Sequence, residues 1–355
     1  MNRLILIFAS AVILLYGCVG NGSNATEPNP LPGDGNSVYH WKTTFALEDS
    51  EEEFLGKHDI HRMYVRMFDV DIDKNWGQDS IEVVPVGTTK FLSKVPDDVE
   101  IIPTVFITVD AIRRGSSEID RLAELIVNRV LAMSSYNDLG EIREVQYDCD
   151  WPFWKEEAFY RLCQRSRELL SERGICLSGT VRLHQLVNWK MPFDKGVLMM
   201  YNVGAIKDYD TENSILNVDD VSAYLTGSRL RAFRRARAKD GFHMDVAYPV
   251  YGWGVAFRDK EFLCLLHTCD FDDETIFERI SECWVRVRED MEIDGNMLVA
   301  GDEIRIEIPD MRILRRTKTI VESAMEGMPH NNLIYHLDEG CLSRFTDDEI
   351  EEIYS

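Results

Sequence analysis

The stretch Glu144-Val145-Gln146-Tyr147-Asp148-Cys149-Asp150-Trp151 decides how the chain is read. It has the composition of a short buried strand that ends in two carboxylates. Side chains alternate along a strand, so Asp148 and Asp150 share one face and Cys149 takes the other. Two aspartates on one face at a strand end are costly unless they are well paired or do chemistry. In a parallel barrel, the C-terminal end of a strand is where chemistry sits.

Outward from this stretch, strand-like and helix-like segments alternate. Strands are expected at 38–45, 62–69, 100–108, 144–150, 175–183, 196–203, 242–250 and 332–337. Helices are expected at 49–55, 116–133, 155–173, 218–239 and 346–354. The 116–133 helix carries Ile119, Leu122, Leu125, Ile126 and Val130 on one stripe. Eight strands with helices between them predict an α/β fold, a (β/α)8 TIM barrel over 38–355. A doubly wound open sheet is the alternative, but no Gly-x-Gly-x-x-Gly follows any of these strands. The segment from about 254 to 330 is too long for one connection. It reads as a small α+β insertion between strands seven and eight, with strands at 262–267 and 297–309 and a helix at 276–291.

The first residues stand apart from the fold. Met1-Asn2-Arg3 is a basic start, and 4–15 is an apolar run too short to span a bilayer comfortably. Leu15-Tyr16-Gly17-Cys18 looks like a lipobox, so 1–18 reads as a lipoprotein signal peptide and Cys18 as the lipidated residue. The Gly-, Ser-, Asn- and Pro-rich stretch 19–37 reads as a flexible tether. The expected location is the cell envelope (outer membrane, periplasmic or surface-facing), with membrane contact only through the lipid on Cys18. The seven other cysteines are odd in number and irregularly spaced, and read as small buried residues rather than a disulfide framework.

An apolar fraction of 45% is that of a globular protein. A net charge of −23 argues against nucleic acid as a partner and against docking of the domain on anionic lipid. The basic run 229–239, with Arg231, Arg234, Arg235 and Arg237, reads as a solvated helix face.

Seven of the eight expected strands, all but the third, end in candidate polar or aromatic groups. In chain order these are His40 and Trp41, Arg66 and Asp69, Asp148, Asp150 and Trp151, Arg182 and His184, Tyr201 and Asn202, Tyr251 and Trp253, then Tyr335, His336 and Asp338. Aromatic faces stack on sugar rings, and carboxylates and amides bond their hydroxyls, so the set points to a carbohydrate partner. Asp148 and Asp150 are the candidate catalytic pair. Like-charge repulsion from Asp148 would raise the pKa of Asp150 and make it the acid. A separate metal reading places Asp71, Asp73, Asn75 and Glu82 at the oxygen-ligand positions of a calcium loop. Trp76 stands where that loop wants Gly, and the alternative is a polar loop after strand two. No spacing suggests zinc, no Gly-x-Ser-x-Gly or P-loop occurs, and no cofactor is expected.

Three segments together resemble the chitinase-type (family eighteen) glycoside hydrolases over roughly residues 38–338. Asp148-Cys149-Asp150-Trp151 resembles the Asp-x-Asp-Trp part of their fourth-strand motif. Met199-Met200-Tyr201-Asn202 resembles their sixth-strand Met-x-Tyr-Asp, and Pro249-Val250-Tyr251-Gly252 their seventh-strand Pro-x-Tyr-Gly. The chain as a whole is also similar to lipoproteins of gut-type bacteria, which implies no activity. The family resemblance implies a glycan-handling barrel, but the sequence departs from it where it matters. The family's general-acid Glu position is Pro152, the aspartate expected three positions before Asp148 is Val145, and the sixth-strand aspartate is Asn202. Tyr335-His336 stands where the family has its eighth-strand Trp. Three readings follow: a glycoside hydrolase using Asp148 and Asp150, an inactive glycan-binding protein on the same scaffold, or a scaffold protein with an incidental cleft. Pro152 favours the second over the first.

Overall fold

A computed structural model describes residues 35–73, 82–151, 156–187, 191–201, 206–211, 213–227, 234, 242–267 and 269–355. Cys18, Asn75, Pro152, Asn202 and most of the basic run 229–239 lie outside the described residues.

The eight barrel strands are Asn36–His40, Ile60–Ile72, Glu100–Ile107, Glu144–Asp148, Cys176–Arg182, Lys195–Met199, His243–Pro249 and Asn332–Tyr335. Each pairs in parallel with the next, and the first pairs with both the second and the eighth, which closes the ring. The (β/α)8 barrel expected from the sequence is therefore present. Helix Ile119–Tyr136 buries the stripe Ile119, Leu122, Ile126 and Val130, while Leu125 is exposed. The apolar core lies mainly between the strands and the surrounding helices, as in Tyr147, whose hydroxyl donates to Ser166 Oγ on helix Glu156–Ser171 at 2.8 Å.

The lumen is polar, and strand four shows why. Its alternation sends Glu144, Gln146 and Asp148 inward at three successive levels. Contacts that skip several strands can only cross the lumen. Tyr39 of strand one donates to Gln146 Oε1 of strand four at 2.9 Å. At the base, Arg62 of strand two reaches Glu144 Oε2 at 2.7 Å, and Lys195 Nζ of strand six lies 2.7 Å from Asp245 Oδ2 and 3.9 Å from Glu144 Oε2. His243 Nε2 and the Asn331 amide complete the shell of Asp245 at 2.7 and 2.9 Å. Burial alone would raise the carboxyls of Asp245 and Glu144. The neighbouring cations override it and hold both below the usual carboxylate range.

Strand two runs beyond the barrel and turns back as the antiparallel strand Val83–Val86. The calcium-loop stretch thus lies between antiparallel strands, not between helices. Asp71 Oδ1 accepts from Thr108 Oγ1 and from the Ile72 amide, each at 2.8 Å, and the Asp73 amide donates to Glu82 O at 2.8 Å. Among the described residues no cluster of metal ligands forms.

The long segment after strand seven contains a five-stranded antiparallel sheet, ordered Glu261–Leu266, Trp253–Arg258, Glu303–Glu307, Trp284–Val287 and Phe277–Ser281. The stretch 276–291 is a hairpin within that sheet, not the expected helix. Val285 and Val287 are buried while Trp284 and Arg286 are half-buried, a period of two that wins over the helical reading. The helix of this span is Met311–Met325, which returns the chain to strand eight.

Candidate functional site

A cavity of about 570 Å³ opens at the C-terminal end of the barrel. The sequence-expected residues that line it are Trp41, Arg66, Asp69, Asp148, Asp150, Arg182, Tyr201, Tyr251, Trp253, Tyr335, His336 and Asp338. Phe106, Gly252, His267 and Cys341 also line it, and sequence reasoning missed them.

Local backbone explains several placements. Arg66 and Asp69 are three apart, and on a regular strand they would face opposite sides. The register with strand three slips between Arg66 and Phe68, so Met67 is an extra residue and both polar side chains reach the cavity. Arg66 Nε donates to Asp69 Oδ1 at 2.8 Å, and its Nη2 donates to the other carboxylate oxygen. Gly87, at φ +54°, passes over this pair. A Cβ there would lie 3.1 Å from Asp69 Oδ2 and 3.2 Å from Arg66 Nη2.

Arg182 organises the centre. Its Nε donates to Asp150 Oδ1 at 2.5 Å and its Nη2 to Asp148 Oδ1 at 3.1 Å. Thr180 Oγ1 also donates to Asp148 Oδ1, at 2.5 Å. The guanidinium lies 4.6 Å from the ring centroid of Tyr201. Gln185 locks the turn after strand five, accepting from the Arg182 amide at 2.7 Å and donating to Cys149 O at 3.3 Å. The two aspartates differ in setting. The Asp148 side chain is 4% exposed and that of Asp150 is 48% exposed. Burial pushes the Asp148 carboxyl up, Arg182 opposes this, and Asp150 adds to the rise. The carboxyl displaced toward its protonated form is thus Asp148, where the sequence argument had chosen Asp150.

Asp338 is held by Lys42 Nζ at 3.2 Å, and its Oδ1 caps the short helix Glu339–Leu342 through the Cys341 amide. Burial alone would raise Asp338, but Lys42 keeps it below the usual range. Tyr201, Tyr251 and Tyr335 pack with centroids 5.2–5.8 Å apart and are mostly buried. Trp41 and Trp253 extend this wall to the rim, at 5.8 Å from Tyr335 and 5.3 Å from Tyr251. His267, from the insertion, meets Trp253 edge-on at 6.0 Å.

Three sequence-expected residues are elsewhere. Alternation sends Tyr39 into the lumen, so His40 points outward and packs on Phe45 at 4.9 Å. Trp151 is on the outward face with Cys149, buried against Phe159 at 4.6 Å. His184 lies on the exposed side of the turn Leu183–Val187.

His40 has a pH signature. It is fully buried, and neither ring nitrogen has a partner on another described residue. Burial, reinforced by Lys42 and His336, lowers its pKa from 6.5 to about 4. The unfolded chain therefore takes up a proton that the fold refuses until the pH nears 4. Stability is full above pH 6.5 and falls between 6.5 and about 4, by roughly 3 kcal/mol from this residue. Chemical denaturation across that range should show the loss in the wild type. A His40→Leu variant should lack that component, and identical pH slopes for the two proteins would remove His40 as its source.

No protein-family model matches the chain, and no curated protein matches it. Among solved structures, the chain is similar to the spore cortex-lytic enzyme SleL of Bacillus megaterium QM B1551, at 11% identity and a TM-score of 0.48, covering 87% of this chain and 72% of that one. It is also similar to a chitinase of Chromobacterium violaceum ATCC 12472, at 11% identity and a TM-score of 0.47, covering 85% and 93%. Catalytic domain 2 of the Group II chitinase of Ostrinia furnacalis gives 11% identity and a TM-score of 0.48, covering 90% and 95%. The barrel assignment itself rests on the chain's own strand pairing.

Proposed function

We propose that this barrel binds a glycan in the cavity and does not hydrolyse it. One observation carries the reading: among the described residues, every carboxylate that lines the cavity is paired with a cation of the chain. Asp69 is paired with Arg66, Asp148 and Asp150 with Arg182, and Asp338 with Lys42. Ordinary glycoside hydrolysis needs one carboxyl to give a proton to the leaving oxygen and a second to act as nucleophile or base. A carboxylate that accepts from a guanidinium or an ammonium is a weaker base than a free one, yet its outer lone pairs still accept from sugar hydroxyls. The wall of Trp41, Tyr201, Tyr251, Trp253 and Tyr335 supplies stacking faces for the apolar sides of sugar rings.

The second reading is a hydrolase in which Asp148 is the proton donor. It is supported by the burial that pushes this carboxyl up. A glycan array with the wild-type domain, followed by product analysis on each hit, separates the two. The binder reading expects retention without product. Asp150→Asn should weaken affinity by about 1–3 kcal/mol, the worth of a hydrogen bond to a charged group. Product formed by the wild type and lost in Asp148→Asn would replace binding with catalysis.

The proposed location is the cell envelope, through a lipid on Cys18. The basic start, the apolar run and the Leu-Tyr-Gly-Cys segment support it. Cys18→Ala should shift the folded protein from the membrane fraction to the soluble one, and an unchanged distribution would retire the anchor.

A further inference from the structure

Two fully buried residues of the insertion, Arg305 and Glu307, connect one residue of the cavity wall to the chain that follows strand six. Trp253 lines the cavity, and its indole Nε1 donates to Glu307 Oε2 at 3.1 Å. Glu307 also accepts from Ser214 Oγ at 2.5 Å and from Arg305 Nε at 2.6 Å. Arg305 directs its remaining donors to backbone carbonyls of the segment that leads away from strand six. Its Nη1 reaches Asp208 O at 2.6 Å and Tyr209 O at 3.4 Å, and its Nη2 reaches Ile206 O at 3.0 Å. The guanidinium also lies 5.0 Å from the Phe257 ring centroid and 5.8 Å from that of Trp284. Beside them, Gly252 leaves no room for a methyl. A Cβ there would stand 2.7 Å from Glu307 O and 2.8 Å from Ile308 Cα.

A buried arginine–glutamate pair is a poor way to gain stability, because an apolar pair of the same volume does as well or better. What the pair does provide is direction. A planar guanidinium fixes several carbonyls at once, and a carboxylate fixes an indole, a hydroxyl and the guanidinium together. We propose that Arg305 and Glu307 are positioning residues for ligand binding. They tie the Trp253 ring of the cavity wall to Ile206, Asp208, Tyr209 and Ser214 behind it, so that the ring meets the ligand in one fixed orientation. This rests on the reading of the cavity as a glycan site.

The test compares the wild-type domain with Glu307→Gln, Arg305→Lys and the double variant Arg305→Met/Glu307→Leu. Hydrogen exchange reports on the amides of 206–216 and, as an internal reference, on those of Glu144–Asp148 and Cys176–Arg182. The emission of Trp253 is taken as the difference from the same protein carrying Trp253→Phe. In the double variant, exchange in 206–216 should rise at least tenfold, while the two barrel strands keep wild-type protection. The Trp253 emission should shift to the red, and affinity for an array-selected glycan should fall roughly 10- to 100-fold. Arg305→Lys should behave like the double variant, because an ammonium cannot fork to three carbonyls. Glu307→Gln keeps an acceptor for the indole but leaves the buried Arg305 guanidinium without its counter-charge, and should show the loop effect with a smaller emission shift. Unchanged exchange and emission would overturn the proposal. So would equal loss of protection in the barrel strands, which would make the pair merely structural. If the wild type retains no glycan, exchange and emission still decide the coupling, and it is the glycan reading that fails.

Discussion

Lys195→Met should lower the folding stability by about 3–5 kcal/mol, the cost of breaking a buried ion pair. Lys195, Glu144 and Asp245 have almost no exposed surface. The ammonium is the cation nearest to Asp245 Oδ2, at 2.7 Å. Without it, Asp245 keeps His243 and the Asn331 amide, and Glu144 keeps Arg62. The residual partners set the estimate in the range for one lost member, not for a collapsed cluster. Removing Asp245 together with Lys195, as Lys195→Met/Asp245→Leu, should recover part of the loss, since a charge is no longer left alone in the lumen. Denaturant midpoints at constant slope measure both. A single variant within 1 kcal/mol of wild type would show that water enters the lumen and screens the cluster.

Arg182→Met should have the largest effect on the cavity. It removes the common partner of Asp148 and Asp150 and the cation that lies on Tyr201. The stability cost should be about 3 kcal/mol at pH 8, and it should shrink in acid. Burial already raises the Asp148 carboxyl, and loss of Arg182 removes the positive charge that opposes this. A carboxyl whose pKa is raised in the fold stabilises below that pKa and loses the contribution as the pH climbs through it. The wild-type advantage must therefore be larger at pH 8 than at pH 5. Asp148→Asn/Arg182→Met should be more stable than Arg182→Met at pH 8. Glycan affinity should fall at least tenfold in Arg182→Met at both pH values, because the cavity loses the geometry of both aspartates. A stability difference that does not vary with pH would mean that Asp148 is not the group released.

Much of the barrel was legible because each strand is a short apolar run bounded by turn signals. Glu144 through Asp150 gave its inward face by alternation alone. The same alternation, carried one residue further, would have sent Trp151 outward, and applied to strand one it would have separated His40 from Trp41. The base cluster was not legible. Arg62, Glu144, Lys195 and Asp245 lie far apart in the chain, and only barrel closure brings them together. Met67 was also invisible as a bulge, since its register is set by strand three. His267 enters the cavity from the end of an insertion strand whose pairing with Trp253–Arg258 no local pattern announces. In the stretch 276–291, apolar residues fit both a helix stripe and a hairpin, and the sheet decided it.

The closure of the ring has a directional consequence. The described chain enters at Gly35 and starts strand one at Asn36, at the N-terminal ends of the parallel strands. It finishes beside that entry, where the Tyr354 hydroxyl donates to Ser37 O at 3.3 Å. The cavity is at the other pole of the barrel. The described chain thus both begins and ends at the pole opposite the cavity. A protein held from that side would face its open pole outward, toward whatever diffuses past.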